Sequence, residues 1–323
     1  MRTRYLMFWS ARHIAPQIVN DMVAAPEPQP MGQAPVAHVA VVVVTFNRYD
    51  VLLATMQTVY EQTRPPDSIL VVDNASPDHT AERLVATHPM VKVLRMTDNA
   101  GPGAALSAGM RMALAQGAEV FWLVEDDTLY SSDYLERGIN TLDTNPDLAI
   151  VGARGWLMRR GRWRVLDTRR SVAVVRGALP TLDGALVTCA AVRRHGFPRE
   201  DYFMMIQDVE YSLRISQAGS GVAIDPMLRQ RPLALGATQA PHASAYRCYY
   251  QTRNHLRLAI ESRSAPLAWG FVRRHGGLLI ADLRSEARTQ RLAMRAFGLV
   301  DGFRHRMGRT VEPGARWPTR GRK

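Results

Sequence analysis

Residues 121–128 read Phe-Trp-Leu-Val-Glu-Asp-Asp-Thr, four apolar side chains that fit a fully buried strand and then, without a break, the carboxylates of Glu125, Asp126 and Asp127. Folding stability gives no reason to drive three acids off the end of a core strand. In an open α/β sheet the ligand crevice lies outside the carboxyl ends of the strands, and clustered carboxylates there suit a hard divalent cation that also grips phosphates. A solvated acidic turn would use the same residues. A second polar cluster, Gln207-Asp208-Val209-Glu210, opens a helical stretch running through Arg214. Glu210 and Arg214 stand four residues apart on one face, and Tyr211, Leu213 and Ile215 supply buried faces. Asp208 falls in the first turn, where a plain capping residue is worth about 1 kcal/mol.

The elements that must position these acids are legible upstream. Val39 to Val44 is a nearly continuous β-branched run, the mark of a strand buried on both faces of a parallel sheet, and it ends in Thr45-Phe46-Asn47-Arg48. A helix over about Asp50 to Gln62 stops ahead of Pro65-Pro66. Ile69 to Val72 forms a second strand ending in Asp73-Asn74-Ala75-Ser76, with a returning helix from Asp78 to Thr87. Val91 to Met96 is a third, ending in Asn99-Ala100-Gly101-Pro102-Gly103, with a helix from Ala104 to Gln116; Val120 to Val124 is the fourth. This alternation predicts βαβ units, a parallel sheet, and four polar clusters on one edge. Beyond Pro146 the alternation is lost: strands are expected at Leu148 to Val151 and Ser171 to Val175, a hairpin tip at Arg159 to Arg164, and a loop entering a short helix over Gly184 to Arg194. A further helix runs through Leu258.

The 323 residues suffice for one large or two medium domains. Cys189 and Cys248 stand far apart without metal-ligand spacing, so neither a disulfide framework nor a zinc site is expected and a reducing compartment is the default. The apolar run Tyr5 to Trp9 is short and soon broken by Arg12 and His13, a poor signal peptide. No run approaches the ~18 apolar residues of a membrane span. The expectation is a cytoplasmic protein, soluble or peripheral on the inner face of the membrane. Of the net charge of +12, residues 263–323 carry most, with fourteen basic and four acidic side chains. Such a surface could meet anionic lipid or keep the protein soluble. No nucleic-acid motif accompanies it, so no nucleic-acid partner is expected. Leu292, Ala296, Leu299 and Phe303 recur at helical spacing, as on a helix lying on a membrane surface or packed on its own domain.

Taken in order, Val-Val-Thr-Phe-Asn-Arg at 43–48, Val-Val-Asp-Asn-Ala-Ser at 71–76, Asn-Ala-Gly-Pro-Gly at 99–103, Trp-Leu-Val-Glu-Asp-Asp at 122–127, Gln-Asp-Val-Glu-Tyr-Ser-Leu-Arg at 207–214 and Tyr-Tyr-Gln-Thr-Arg-Asn at 249–254 resemble the family 2 glycosyltransferases. The similarity is to the branch holding bacterial rhamnosyltransferases and galactofuranosyltransferases, and it runs from about Val39 to Leu258. It implies a GT-A fold: a Rossmann-like, mostly parallel α/β sheet with an acceptor-binding half. It further implies that Thr45 and Arg48 lie beside the base and phosphates, Asp73 on the base, and Asn99, Gly101 and Gly103 around the ribose and diphosphate. Glycines opening a helix also allow close backbone approach to an anion, although a structural turn would use them too. Asp127 matches the likeliest metal ligand of the family's Asp-x-Asp site, with Asp126 and Glu125 as neighbours on the donor. Glu125 replaces the usual Asp, so its role, on the metal or the ribose, is open. His242 matches a histidine completing the metal site, which favours Mn²⁺ beside Mg²⁺. Asp208 matches the catalytic base, and Gln207 stands where many relatives carry a second acid.

The resemblance therefore implies an inverting, metal-dependent transfer from a dTDP- or UDP-linked sugar, rhamnose or galactofuranose, to a glycan or lipid-linked acceptor. The expected division is a mobile leader at 1–37, a donor half at 38–145, an acceptor half at 146–262 and a basic helical extension at 263–323. Two rivals stand beside this. A sugar nucleotidyltransferase would show a Gly-rich basic loop after the first strand, where Thr45-Phe46-Asn47-Arg48 stands instead. A nucleotide-sugar-binding protein with a degenerate site draws support from Glu125 and Gln207 and is opposed by Asp127 and Asp208.

Overall fold

The structure, a computed structural model, describes residues 37–159, 162–166, 168, 172–233 and 245–317. Residues 1–36 of the expected 1–37 leader, and His242, lie outside the described residues. The first half alternates as the sequence predicts: β1 (Val39–Thr45), α1 (Tyr49–Tyr60), β2 (Ser68–Asp73), α2 (Thr80–Thr87), β3 (Lys92–Arg95), α3 (Pro102–Ala115) and β4 (Val120–Glu125). Then come β5 (Thr128–Tyr130), α4 (Tyr134–Thr144), β6 (Leu148–Gly152), and a hairpin of β7 (Gly155–Arg159) with β8 (Arg162–Val165) where the basic tip was expected. The remainder is β9 (Val175–Arg176), β10 (Leu179–Pro180), β11 (Leu186–Thr188), α5 (Cys189–His195), α6 (Gln207–Gln217), β12 (Gly221–Ile224), β13 (Gln230–Pro232), α7 (Ala245–Glu261), α8 (Ala265–Leu283) and α9 (Arg288–Phe303).

Eight strands form the central sheet in the order β3-β2-β1-β4-β11-β6-β12-β9. Its first four strands are mutually parallel, while β11 runs antiparallel between β4 and β6. The alternation of side chains along β1 explains the layers. Ala40 and Val42 pack with Ala105 and Met110 of α3 on one face; Val39, Val41 and Val43 pack with Leu52 and Met56 of α1 and Leu135 of α4 on the other. A strand so enclosed has no polar face, which is why its sequence reads as an unbroken apolar run.

Two elements differ from expectation. A strand, β11, sits inside the segment 184–194, whose three-residue run after Gly184 is too short to display a period of two. Around 171–175 the described residues contain the two-residue β9 alone, ending at Arg176. The C-terminal part packs on α7 through α9, but with a different face from the one the apolar spacing suggests. Met294, Arg295, Gly298, Asp301 and Gly302 are buried, whereas Ala296 and Phe303 face outward. The reason is that small residues and met charges let α9 approach closely: Arg295 pairs with the buried Asp282 of α8, and Tyr249 of α7 donates to Asp301 at 2.9 Å.

Candidate active site

The parallel register brings the ends of β1, β2 and β4 level, with Thr45 opposite Asp73 and Val44 opposite Glu125. There Asp126 is buried and clamps β1: one carboxylate oxygen accepts from the Thr45 hydroxyl at 2.7 Å and the Phe46 amide at 3.3 Å. Its backbone carbonyl accepts from Thr55 of α1 at 2.8 Å. Arg48 reaches both Asp127 at 2.9 Å and Asp126 at 3.4 Å. Burial pushes the Asp126 carboxyl up to about 6, opposed by the Thr45 hydrogen bond and Arg48. Thr45, Arg48, Asp126 and Asp127 are thus one charge-paired unit on the cleft floor.

Asp73 and Asn99 sit at neighbouring strand ends. Asp73 is fully buried; it accepts from the Ser76 amide at 3.0 Å, and its second oxygen has no hydrogen-bond partner and faces Arg95 at 3.7 Å. Burial raises its proton affinity against those two influences. Asn74 holds both Asn99 and the residue after it: Asn74 Nδ2 donates to Asn99 Oδ1 at 3.0 Å, and the Ala100 amide donates to Asn74 Oδ1 at 3.1 Å. Asn74, to which the sequence reading gave no role, therefore joins the ends of β2 and β3. Gly101 has φ +87°, and a Cβ there would lie 1.9 Å from the Phe203 carbonyl oxygen; at Gly103 it would lie 2.6 Å from that of Arg199. The close approach these glycines permit is made to the protein's own segment 199–203, just ahead of Asp208.

Asp208 lies in the first turn of α6, and the chain reaches it through a strained passage: Phe203, Met205 and Ile206 all have positive φ, at 60°, 65° and 73°. Such conformations in bulky residues persist only where the surroundings fix them. Here α7 does so. Asn254 Nδ2 donates to the carbonyls of Tyr202, Met204 and Met205 at 2.7 to 2.9 Å, and Arg253, also fully buried, donates to Tyr202 at 3.1 Å. The Arg-Asn end of the 249–254 motif is the clamp on the loop that presents Asp208. Glu210 bonds Arg214 at 2.7 Å, and Arg214 also donates to the Phe197 carbonyl at 2.9 Å, so this pair braces α6.

Asp183, absent from the sequence reading, completes the acidic group. It accepts from Tyr130 at 2.6 Å, Thr128 at 2.9 Å, Gln230 at 3.0 Å and the Glu125 amide at 3.3 Å. The antiparallel β11 is what carries it there, hydrogen-bonding along β4. The Asp-Gly pair at 183–184 was the available signal, but it reads as an ordinary turn. Burial, then the charges of Asp183, Asp208, Asp127 and Asp126 in that order, pushes the Glu125 carboxyl well above its usual range. Water reaches the Glu125 side chain, yet protein surrounds it closely enough for burial to lead. Burial and then Asp183 push Asp208 up to about 7. An open groove of about 540 Å³, lined by Arg154, Trp156, Leu166, Thr168 and Thr181 among others, lies two residues from Asp183.

Among the described residues no three His, Cys, Asp or Glu side chains converge as a metal cage. The donor chemistry nevertheless fits a hard cation: Asp127 offers a carboxylate in a pocket whose acids outnumber Arg48, and Mg²⁺-type sites often use one or two carboxylates with substrate phosphates as the remaining ligands.

A sheet whose parallel strand ends gather carboxylates and whose second half adds an antiparallel strand and a further acid is the GT-A class of glycosyltransferase fold. Residues 40–197 match the family described as Glycosyl transferase family 2. It is 31% identical over 196 residues to a galactofuranosyltransferase, GlfT1, of Mycobacterium tuberculosis, covering 55% of this chain and 64% of that protein, so it spans under two thirds of that relative's length. It is 25% identical over 307 residues to an N-acetylglucosaminyl-diphospho-decaprenol L-rhamnosyltransferase of the same organism, covering 81% and 97%. A mannosyltransferase of Pyrobaculum calidifontis, solved with GDP-mannose and Mn²⁺, shares the fold with a TM-score of 0.53 at 17% identity, over 87% of this chain and 91% of that one.

Proposed function

We propose that this protein is an inverting, divalent-cation-dependent glycosyltransferase that moves rhamnose or galactofuranose from a dTDP- or UDP-linked donor to a hydroxyl of a glycan or lipid-linked glycan, in cell-surface polysaccharide synthesis. The observation that carries the reading is the meeting, in one cleft, of the Arg48–Asp127 pair from the donor half with Asp208 and Asp183 from the acceptor half. The names of the rhamnosyl and galactofuranosyl relatives support the sugar, and the decaprenol-linked substrate in one of them supports the acceptor.

In this mechanism Asp208 accepts the acceptor hydroxyl proton as that oxygen attacks the anomeric carbon from the face opposite the diphosphate, which inverts the configuration. A proton affinity near 7 makes it a far better base than an ordinary carboxylate while leaving it ionised above neutrality. Arg48 faces the departing phosphates, held in place by Asp127 and Asp126. A divalent cation at Asp127, completed by His242, would neutralise charge on the diphosphate when bound. Asp73 and the Asn74–Asn99 pair frame the base and ribose. Gly101 and Gly103 are assigned to packing the donor half on segment 199–203. Glu125, whose strongest electrostatic neighbours are Asp183 and Asp208, is assigned to the sugar at the junction of donor and acceptor.

The test is to incubate the protein with Mn²⁺ or Mg²⁺, dTDP-rhamnose or UDP-galactofuranose, and prenyl-diphosphate-linked acceptors, following nucleoside diphosphate release and the anomeric configuration of the product. Transfer with inversion, abolished by EDTA and by Asp208→Asn, is the expected result. Transfer by Asp208→Asn at the wild-type rate, or failure of the wild-type protein to bind any nucleotide sugar, overturns the reading.

A further inference from the structure

Helix α8 is amphipathic in the reverse sense from an ordinary surface helix. Its inner side is set by Leu267, Gly270, His275 and Asp282, all buried against the rest of the protein. On the side roughly opposite, Trp269, Val272, Leu279, Ile280 and Leu283 are 39 to 60% exposed, although a soluble helix would carry polar residues there. Their spacing of three, seven, one and three residues, with Gly276 between, keeps them in one stripe along the helix. Arg273 and Arg284 are exposed and follow Ile280 around the helix on one shoulder of that stripe. The stripe bears no acidic residue. Among the described residues no helix is long and apolar enough to cross a membrane, so this apolar surface does not belong to a span.

We propose that α8 docks the protein on the surface of an anionic lipid bilayer, with the Trp269–Leu283 stripe entering the boundary between headgroups and acyl chains and Arg273 and Arg284 against lipid phosphates. The occupant follows from the combination of chemistries. A continuous apolar stripe with a Trp near one end and cationic side chains along its edge matches a plane that is apolar below and negatively charged above. The concentration of positive charge in residues 263–323 adds longer-range attraction to the same surface. The position differs from the one the sequence suggests: the Leu292–Phe303 spacing of α9 pointed to that helix, but α9 gives its middle to α7, and the long exposed stripe belongs to α8. The inference stands apart from the catalytic reading, because docking requires neither donor nor acceptor.

The experiment is co-sedimentation of the full chain with vesicles of phosphatidylcholine alone or mixed equally with phosphatidylglycerol, at low and high salt. The expected result is binding to the mixed vesicles that weakens with salt. Trp269→Ser with Ile280→Ser should weaken it by more than about tenfold, since each side chain loses most of its transfer free energy. Arg273→Glu with Arg284→Glu should weaken binding to the mixed vesicles and flatten its dependence on salt. Both double variants should keep the wild-type thermal unfolding curve, which separates lost docking from lost folding. Equal binding by the wild-type protein and the apolar variant overturns the proposal. So does absence of vesicle binding by a wild-type protein whose self-association is abolished by the same apolar substitutions, which would assign the stripe to a second copy.

Discussion

At the scale of single residues, the acid that tunes the base comes from an unexpected place. Asp208, the proposed base, follows an uncharged neighbour, Gln207, and it is Asp183 that adds its charge from the turn before β11. Burial raises the proton affinity of Asp183, opposed by its hydrogen bonds from Tyr130, Thr128 and the Glu125 amide. The rate of transfer should therefore rise with pH and level off above about 7, as Asp208 loses its proton. Asp183→Asn removes one charge that opposes this ionisation, so the rising limb should move to lower pH. A limb left unmoved in a pH–kcat profile would show that burial alone sets it. Asp208→Asn should lower kcat by about 10² to 10⁴-fold with little change in donor KM, the range for loss of a positioned base. The carboxylates of residues 125–127 and Asp208 were legible as chemistry because acids at the ends of apolar elements have no packing reason. Asp183 was not, because an Asp-Gly turn is indistinguishable from any other until strand order shows which edge it joins.

At the scale of elements, the site depends on contacts that cross between halves. Parallel strands and their helices could be read from the sequence because buried strands and amphipathic helices impose their periods on it. The three-residue β11 and the positive-φ loop at 203–206 impose no period, and what fixes the loop lies about fifty residues downstream in Asn254. Asn254→Ala would leave the Met204 and Met205 carbonyls without that donor, at about 1–3 kcal/mol for each buried group left unsatisfied, while the Tyr202 carbonyl keeps its bond from Arg253. The expected outcome is a lower unfolding midpoint together with a kcat loss larger than any change in donor KM, since Asp208 moves while the Arg48–Asp127 unit stays. A fall in donor KM-dependent rate alone would contradict the clamp. Gly101→Ala should be worse for folding, because its Cβ would collide with the Phe203 carbonyl and also require a positive φ. Its predicted signature is a lower melting temperature, or no soluble protein, rather than altered nucleotide affinity.

At the scale of the whole molecule, α7 is the piece on which the rest converges: it clamps the Asp208 loop, packs α9, and meets α8 through a buried pair in which His255 Nδ1 lies 3.1 Å from His275 Nε2. Burial, then the second imidazole for His255 and the charge of Arg295 for His275, with Arg274 adding to both, push these rings down to about 3. In the unfolded chain a histidine titrates near 6.5, so between about 6.5 and 3 the unfolded state binds more protons at this pair, and stability is lost as pH falls through that window. The cleft acids act with the opposite sign. Asp126 and Asp208 are raised to about 6 and 7, so above the ordinary carboxylate value the folded state binds more protons and stability is gained as pH falls from about 7 towards 4. Each group contributes a slope of up to about 1.4 kcal/mol per pH unit where its occupancy differs fully between states. With two histidines set against Asp126, Asp208 and the likewise raised Glu125, Asp73 and Asp183, unfolding free energy measured in EDTA should rise as pH falls from 6.5 to 4.5, by less than the acids alone would give. The slope can be changed from either side. His275→Asn removes a destabilising proton uptake and should make the protein gain more stability on acidification. Asp208→Asn removes a stabilising one, so that variant should be relatively more stable than wild type at pH 8 and lose that advantage towards pH 4.5. Denaturant titrations of the three proteins across this range test both signs, and parallel pH dependences for all three would refute the opposed titrations.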